Sequence, residues 1–209
     1  MLKTVEVRWF FPGEIPPAVT TWFISAAPSS ISEPIRTDYY LNLLNQEAMG
    51  IKVREGWLEV KQRPSSIGRF QFQEKVIGQL ESWRKWGINL GALSGVPANE
   101  IEKMWIPVVK ERQIYSYKLS GGIWQGRGGK LGIEDQGCEI ELSKINAFNR
   151  TWWSFAFEAS GTSNQNKRLL IEASKRFLAL SDPPSMPLTH SYGYPTWIGH
   201  ISCKGKAIG

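Results

Sequence analysis

The sequence predicts an α+β fold that is built mainly from antiparallel strands. About eight segments alternate between apolar and polar residues with a period of two, which is typical of strands. Most of these segments carry charges on one face, and two or three others place apolar residues at helical spacing. These observations favour one antiparallel sheet with a few helices, and about eight strands are enough to close such a sheet into a barrel.

Length and composition indicate a single soluble domain. The chain has 209 residues, of which 42% are apolar, so it is long enough to bury a substantial core. It contains no stretch that resembles a signal peptide or a membrane span, so we expect a cytoplasmic protein without a membrane partner. Cys138 and Cys203 are too few for a disulfide framework and are expected to be structural.

The net charge of +6 and the isoelectric point near 9.3 favour an acidic partner. That partner could be phosphate, a nucleotide, a nucleic acid or a membrane surface, and charge alone does not choose among these classes. Specific residues are needed to decide.

The predicted strands begin at Thr4–Phe11, where Glu6 and Arg8 share one face. The other strands are expected at Arg36–Leu43, whose end could also be helical, at the hairpin 50–63, at 67–73, at Met104–Leu119, at Cys138–Ile145 and at Arg150–Ala159. The glycine-rich stretch 121–132 has Trp124 where a phosphate-binding loop needs glycine, so a flexible hairpin loop is expected there.

Helices are predicted at three places. The first begins at Pro16 or Pro17 and runs through Phe23, since proline suits the first turn of a helix. Apolar residues at helical spacing predict a second helix over Glu74–Leu90 and a third over Asn166–Leu180.

The hairpin GIKVREGWLEVKQR gathers positive charge on one face. Lys52 and Arg54 alternate with apolar residues before the Glu55-Gly56-Trp57 break, and Lys61 and Arg63 alternate with them after it. This face is either a solvated outer surface or the lining of a site that holds anions.

Five short motifs occur in a fixed order along the chain. They are Thr4-Val5-Glu6-Val7-Arg8, Asp38-Tyr39-Tyr40, Ile51-Lys52-Val53-Arg54-Glu55, Leu58-Glu59-Val60-Lys61 and Val109-Lys110-Glu111-Arg112. In this order they resemble the strand motifs of the CYTH superfamily, the triphosphate tunnel metalloenzymes, which include thiamine triphosphatases, inorganic triphosphatases and class IV adenylate cyclases. The resemblance implies an eight-stranded closed barrel, or tunnel, with flanking helices over residues 1–182. Residues 183–209 are expected to pack on this barrel as a C-terminal tail.

The resemblance also implies a ligand. Cations inside the tunnel would grip a triphosphate, because each phosphoryl oxygen needs a charge-assisted hydrogen bond and arginine offers two donors at once. The expected phosphate-binding residues are Arg8, Lys52, Arg54, Lys61, Arg63, Lys110 and Arg112. Carboxylates would hold Mg²⁺ or Mn²⁺ together with oxygens of the substrate. The expected metal ligands are Glu6, Glu139, Glu141 and Glu158.

The sequence departs from the family pattern at three positions. Thr4 stands where the family has its first glutamate, Arg8 replaces a lysine, and Ala156 replaces one carboxylate of a late Glu-x-Glu strand. Metal-dependent phosphohydrolysis is therefore one expectation, and no catalytic residue is assigned. An anion-binding or protein-interaction module without catalysis is the alternative. Nucleic-acid binding through basic and aromatic surface residues is a less favoured third hypothesis.

Overall fold

The computed structural model describes the backbone of residues 1–43, 46–90, 105–161 and 164–205, and the side chains of these ranges through residue 202. Residues 91–104, which include the first residue of the predicted strand Met104–Leu119, and the side chain of Cys203 lie outside the described residues. No helix in the described ranges is both long and apolar enough to cross a membrane.

Strands dominate the described part of the chain. They are β1 (Leu2–Pro12), β2 (Ile31–Leu41), β3 (Met49–Arg54), β4 (Trp57–Gln73), β5 (Val76–Asn89), β6 (Trp105–Ser120), β7 (Ile123–Gly128), β8 (Gly137–Ala147) and β9 (Arg150–Ser160). The helices are α1 (Pro17–Ala26), α2 (Asn166–Leu178) and α3 (Tyr194–Gly205), with a short 3-10 turn at Leu188–His190.

Eight of these strands form a closed antiparallel barrel, which confirms the predicted fold class. Their order around the barrel is β2, β3, β4, β5, β1, β9, β8 and β6, and β6 pairs again with β2 to close it. The remaining strand, β7, pairs with the second half of β6, beyond the end of β2. The predicted flexible loop at 121–132 is therefore partly a strand.

The predicted helix over Glu74–Leu90 is wrong, because this segment is strand β5. It pairs along most of its length with β4 and at its second half with β1. Its apolar residues belong to two faces: Leu80 contributes to the outer core, whereas Trp83 lies on the inner face beneath Lys61. Residues 67–73 are likewise the end of the long strand β4 and not a separate strand.

The apolar core lies on the outside of the barrel, beneath two helices. On β1, Val5, Val7 and Trp9 point outward into this core. The helices contribute Val19, Trp22 and Phe23 from α1 and Leu169, Leu170, Ala173 and Phe177 from α2. Because side chains alternate along a strand, the other face of β1 is turned to the barrel interior.

The C-terminal segment lies against both β1 and β5. Ile77 donates a backbone hydrogen bond to Met186, and Tyr192 donates one to the carbonyl oxygen of Arg8. Beyond this segment, α3 packs against inward residues at one end of the barrel. This second apolar cluster joins Trp197, Ile198 and Ile201 of α3 to Phe10, Val108 and Ile145 of the strands.

Candidate functional site

A network of ion pairs lines the interior of the barrel. Strand alternation turns Glu6 and Arg8 of β1 to the same side, and the register between strands brings side chains distant in sequence next to them. Arg8 Nε lies 2.8 Å from Glu6 Oε1, and Arg8 Nη1 lies 2.7 Å from Glu141 Oε1. Lys61 donates to the second oxygen of Glu6.

Neighbouring cations hold both of these glutamates ionised. Burial opposes ionisation of Glu6, but Lys61 and Arg8 lower its pKa well below the ordinary value. Burial likewise opposes ionisation of Glu141, and Arg8 together with Arg112 lowers its pKa. Arg8 is therefore the common partner of the buried Glu6 and the partly buried Glu141.

A second centre is built around the buried carboxylate of Asp38. Its oxygens lie 3.0 Å from Arg36 Nε, 3.0 Å from Lys52 Nζ and 2.9 Å from Lys110 Nζ. Burial raises the pKa of Asp38, but the three cations outweigh it and the net shift is downward. Burial also lowers the pKa of Lys110 well below its ordinary value. The Asp38 carboxylate is thus the shared counter-ion of three cations.

Each of the seven predicted phosphate-binding cations has a carboxylate partner. Lys52 Nζ also lies 3.1 Å from Glu59, which accepts in addition from Arg54. Arg63 pairs with Glu81. Arg112 lies 3.2 Å from Glu33 and 3.5 Å from Glu141. Together with Arg8, Lys61 and Lys110, these side chains form ion pairs along the inner face of the barrel.

The predicted metal ligands lie close together but in different environments. Glu139, Glu158 and Glu6 are in register on the adjacent strands β8, β9 and β1. Glu6 and Glu141 are both bound to Arg8, and Glu158 accepts from Lys85. In the described ranges, no group of three or more His, Cys, Asp and Glu side chains is arranged to hold a metal ion.

Glu139 is the one predicted metal ligand whose pKa is raised. Its carboxylate accepts a hydrogen bond from the backbone N–H of Leu131 at 2.8 Å. Burial and the negative charge of Glu158 raise the pKa of Glu139 to about 7. Glu139 therefore accepts from a backbone N–H, whereas the adjacent Glu158 accepts from Lys85.

Sequence reasoning missed several inward side chains. Glu81 and Lys85 were overlooked because β5 was predicted as a helix, although Gly78 and Gly87 within that segment disfavour a helix. Asp38 was recognised only as part of a motif, and its parity with Tyr40 could have placed it on the inner face. No sequence signal pointed to Tyr194, which the C-terminal segment brings next to Arg8 and Lys110.

The comparisons with known proteins assign this chain to no family. No family model matches the chain, and no curated protein sequence matches it. A solved structure from Bacillus halodurans, named as a "putative adenylate cyclase", shares 13% sequence identity with a TM-score of 0.36; the match covers 90% of this chain and 96% of that one. At this identity and score, the similarity carries no information about activity. The protein is thus defined by its fold and site as a closed antiparallel barrel with an ion-paired interior.

Proposed function

We propose that the barrel interior binds a triphosphate-containing or similar polyanionic small molecule. The observation that carries this proposal is the convergence of basic side chains from β1, β3, β4 and β6 on one interior. Buried ion pairs often stabilise a protein less than well-packed apolar side chains of similar volume would. A charged barrel interior therefore needs a reason other than stability, and a charged ligand supplies one.

The cations differ in how easily a ligand could reach them. The side chains of Arg54 and Lys61 are 27% and 20% exposed, whereas those of Arg8 and Lys110 are 5% and 3% exposed. An anion would therefore meet the cations of the β3–β4 hairpin first. Its phosphoryl oxygens would replace carboxylates as the partners of these cations through charge-assisted hydrogen bonds.

The interior carboxylates could bind a divalent cation only if a bound polyphosphate supplied further oxygen ligands. Glu139, which is bound by a backbone N–H and not by a cation, and the adjacent Glu158, which would have to exchange Lys85 for the metal, are the two carboxylates that would hold Mg²⁺ or Mn²⁺. Phosphate oxygens would have to complete the coordination, as is usual for Mg²⁺. A bound ion of this kind neutralises charge on phosphoryl oxygens, which is the chemistry that hydrolysis of a triphosphate needs.

A second candidate is an anion-binding or protein-interaction module that does not catalyse a reaction. The observation in its favour is that the predicted cations are already paired with carboxylates and that the described residues offer no three-ligand metal cluster. Nucleic-acid binding is less well supported, because these cations line the interior and not the outer surface.

The closed eight-stranded barrel and its charged interior support a divergent membership of the CYTH superfamily.

Binding and turnover can be measured in one set of experiments. Inorganic triphosphate, thiamine triphosphate and ATP are titrated calorimetrically with Mg²⁺ or Mn²⁺, and phosphate release is followed in parallel. Binding with release supports an enzyme, and binding alone supports the non-catalytic module. Absence of binding for all three compounds would overturn the proposal.

A matched pair of variants tests the location of the site. Arg54 has its guanidinium on the inner face, whereas Arg84 on β5 is exposed. Arg54→Gln should weaken triphosphate binding by about tenfold or more, because a hydrogen bond to a charged group contributes about 1.5–3 kcal/mol. Arg84→Gln removes the same charge and should leave the affinity nearly unchanged. Equal effects of the two variants would contradict an interior site.

A further inference from the structure

The C-terminal segment places one tyrosine inside the charged barrel. Gly193 lies so close to the inner face that a Cβ atom there would come within 2.7 Å of Glu81 Oε2 and 2.9 Å of Trp83. The next residue, Tyr194, begins α3 and is 8% exposed. It therefore belongs to the interior although it lies far from the strand motifs in sequence.

The ring of Tyr194 stands next to two of the proposed anion-binding cations. Lys110 Nζ lies 3.8 Å from the ring centroid, and Arg8 Cζ lies 5.0 Å from it. The ring also stacks on Tyr40, with the centroids 5.4 Å apart and the planes 13° from parallel. These cation–π and stacking contacts hold the ring in place.

The hydroxyl of Tyr194 is the unexplained part of this arrangement. It is buried and has no hydrogen-bond partner among the described residues. An unpaired buried polar group destabilises the folded state, and phenylalanine would fill the same space without that cost. Burial raises the pKa of Tyr194, so the hydroxyl keeps its proton and can act as a donor.

We propose that Tyr194 is a ligand-binding residue whose hydroxyl donates a hydrogen bond to the anion held by Arg8 and Lys110. This inference rests on the proposed function, and it adds a donor from the C-terminal segment to the basic residues of the strands. The bound anion supplies the acceptor that the hydroxyl lacks. Tyr194 would then distinguish anions that reach the deep cations from those bound only by the exposed hairpin.

The variant Tyr194→Phe tests this role because it removes only the hydroxyl. We expect two effects of opposite sign: the ligand-free variant should unfold at a higher denaturant concentration than the wild type, and its affinity for inorganic triphosphate should fall about tenfold. A merely structural tyrosine would not produce weaker binding together with higher stability. Tyr192→Phe is the control, since Tyr192 contacts Phe10 and His200 and, in the described part of the chain, has no lysine or arginine over its ring.

The outcomes separate the inference from the proposed function. If the wild type and Tyr194→Phe bind triphosphate equally, the role of Tyr194 is overturned and interior binding stands. If neither protein binds triphosphate, the proposed function and the role of Tyr194 both fall. A loss of affinity in Tyr192→Phe equal to that in Tyr194→Phe would also overturn the specific role.

Discussion

Lys110 and Asp38 form an ion pair inside the barrel, with 2.9 Å between Nζ and Oδ2 and with both side chains almost fully buried. The same carboxylate also serves Lys52 and Arg36. Removing one member of such a group leaves the others without compensation in a poorly solvated place. We therefore expect the loss of one of these charged side chains to lower the free energy of unfolding strongly.

Asp38→Asn should lower the free energy of unfolding by about 3–5 kcal/mol, because three cations lose their shared counter-ion. Urea unfolding measures the effect, and added phosphate should restore part of the stability by supplying a replacement anion. Glu55→Gln is the control, since the side chain of Glu55 is 72% exposed and its contact with Arg54 is long at 3.9 Å. A wild-type stability for Asp38→Asn would show that the cations do not depend on this carboxylate.

The raised pKa of Glu139 predicts a pH dependence of stability. Its ordinary value is 4.5 and its folded value is about 7, so the folded state binds the proton more tightly than the unfolded state. The contribution of Glu139 to the free energy of unfolding is fully present below about pH 4.5 and is lost as the pH rises through about 7. The wild type should therefore lose stability relative to Glu139→Gln between these values, as measured by urea unfolding at several pH values. Parallel curves for the two proteins would contradict the raised pKa.

Metal binding should depend on the ligand. Because the described carboxylates form no three-ligand cluster, Mg²⁺ or Mn²⁺ alone should bind weakly, and triphosphate should strengthen the binding by supplying phosphate oxygens. Calorimetry with and without triphosphate measures this difference. Glu139→Gln and Glu158→Gln should reduce metal binding in the presence of triphosphate, whereas Glu111→Gln on the exposed face of β6 should not. Tight binding of metal to the ligand-free protein, abolished by Glu6→Gln, would show that a complete carboxylate site exists.

Gly78 allows β5, β1 and the C-terminal segment to approach one another. A Cβ atom at this position would meet Val7 and would come within 2.6 Å of Trp9 Cζ2. Gly78→Ala should therefore destabilise the protein by about 1–3 kcal/mol through overpacking. Gly199→Ala in α3 is the control, because no atom lies within 4 Å of a Cβ there and alanine favours a helix over glycine by about 0.5–1 kcal/mol. Chemical unfolding should show that this variant is not destabilised. Equal changes in the two variants would argue against the close packing at Gly78.

The barrel was predictable because its strands carry two kinds of information. The alternation in β1 and in the β3–β4 hairpin specified both the extended backbone and the side chains that share a face, and the structure agrees with both. The spacing of apolar residues in β5 misled the helix prediction, since Leu80 and Trp83 lie on opposite faces of a strand and still fall three residues apart. The pairing of β5 with β4 and β1, which the local spacing of apolar residues does not reveal, makes this segment a strand.

The partners of the charged residues were not predictable in the same way. Arg8 and Glu141 are 133 positions apart in the sequence, and only the pairing of β1 with β9 and of β9 with β8 brings them together. A basic face therefore indicated an anion site, but the carboxylates that neutralise it came from strands on several sides of the barrel.

The position of the C-terminal segment has a consequence for the order of events during biosynthesis. Residues 186–192 make backbone contacts with both β1 and β5, and α3 then fills one end of the barrel. The ribosome synthesises the strands before this segment and α3, so the strands are made before the residues that pack against them. A nascent chain that still lacks α3 would leave Phe10, Val108 and Ile145 without the apolar side chains that cover them in the folded protein.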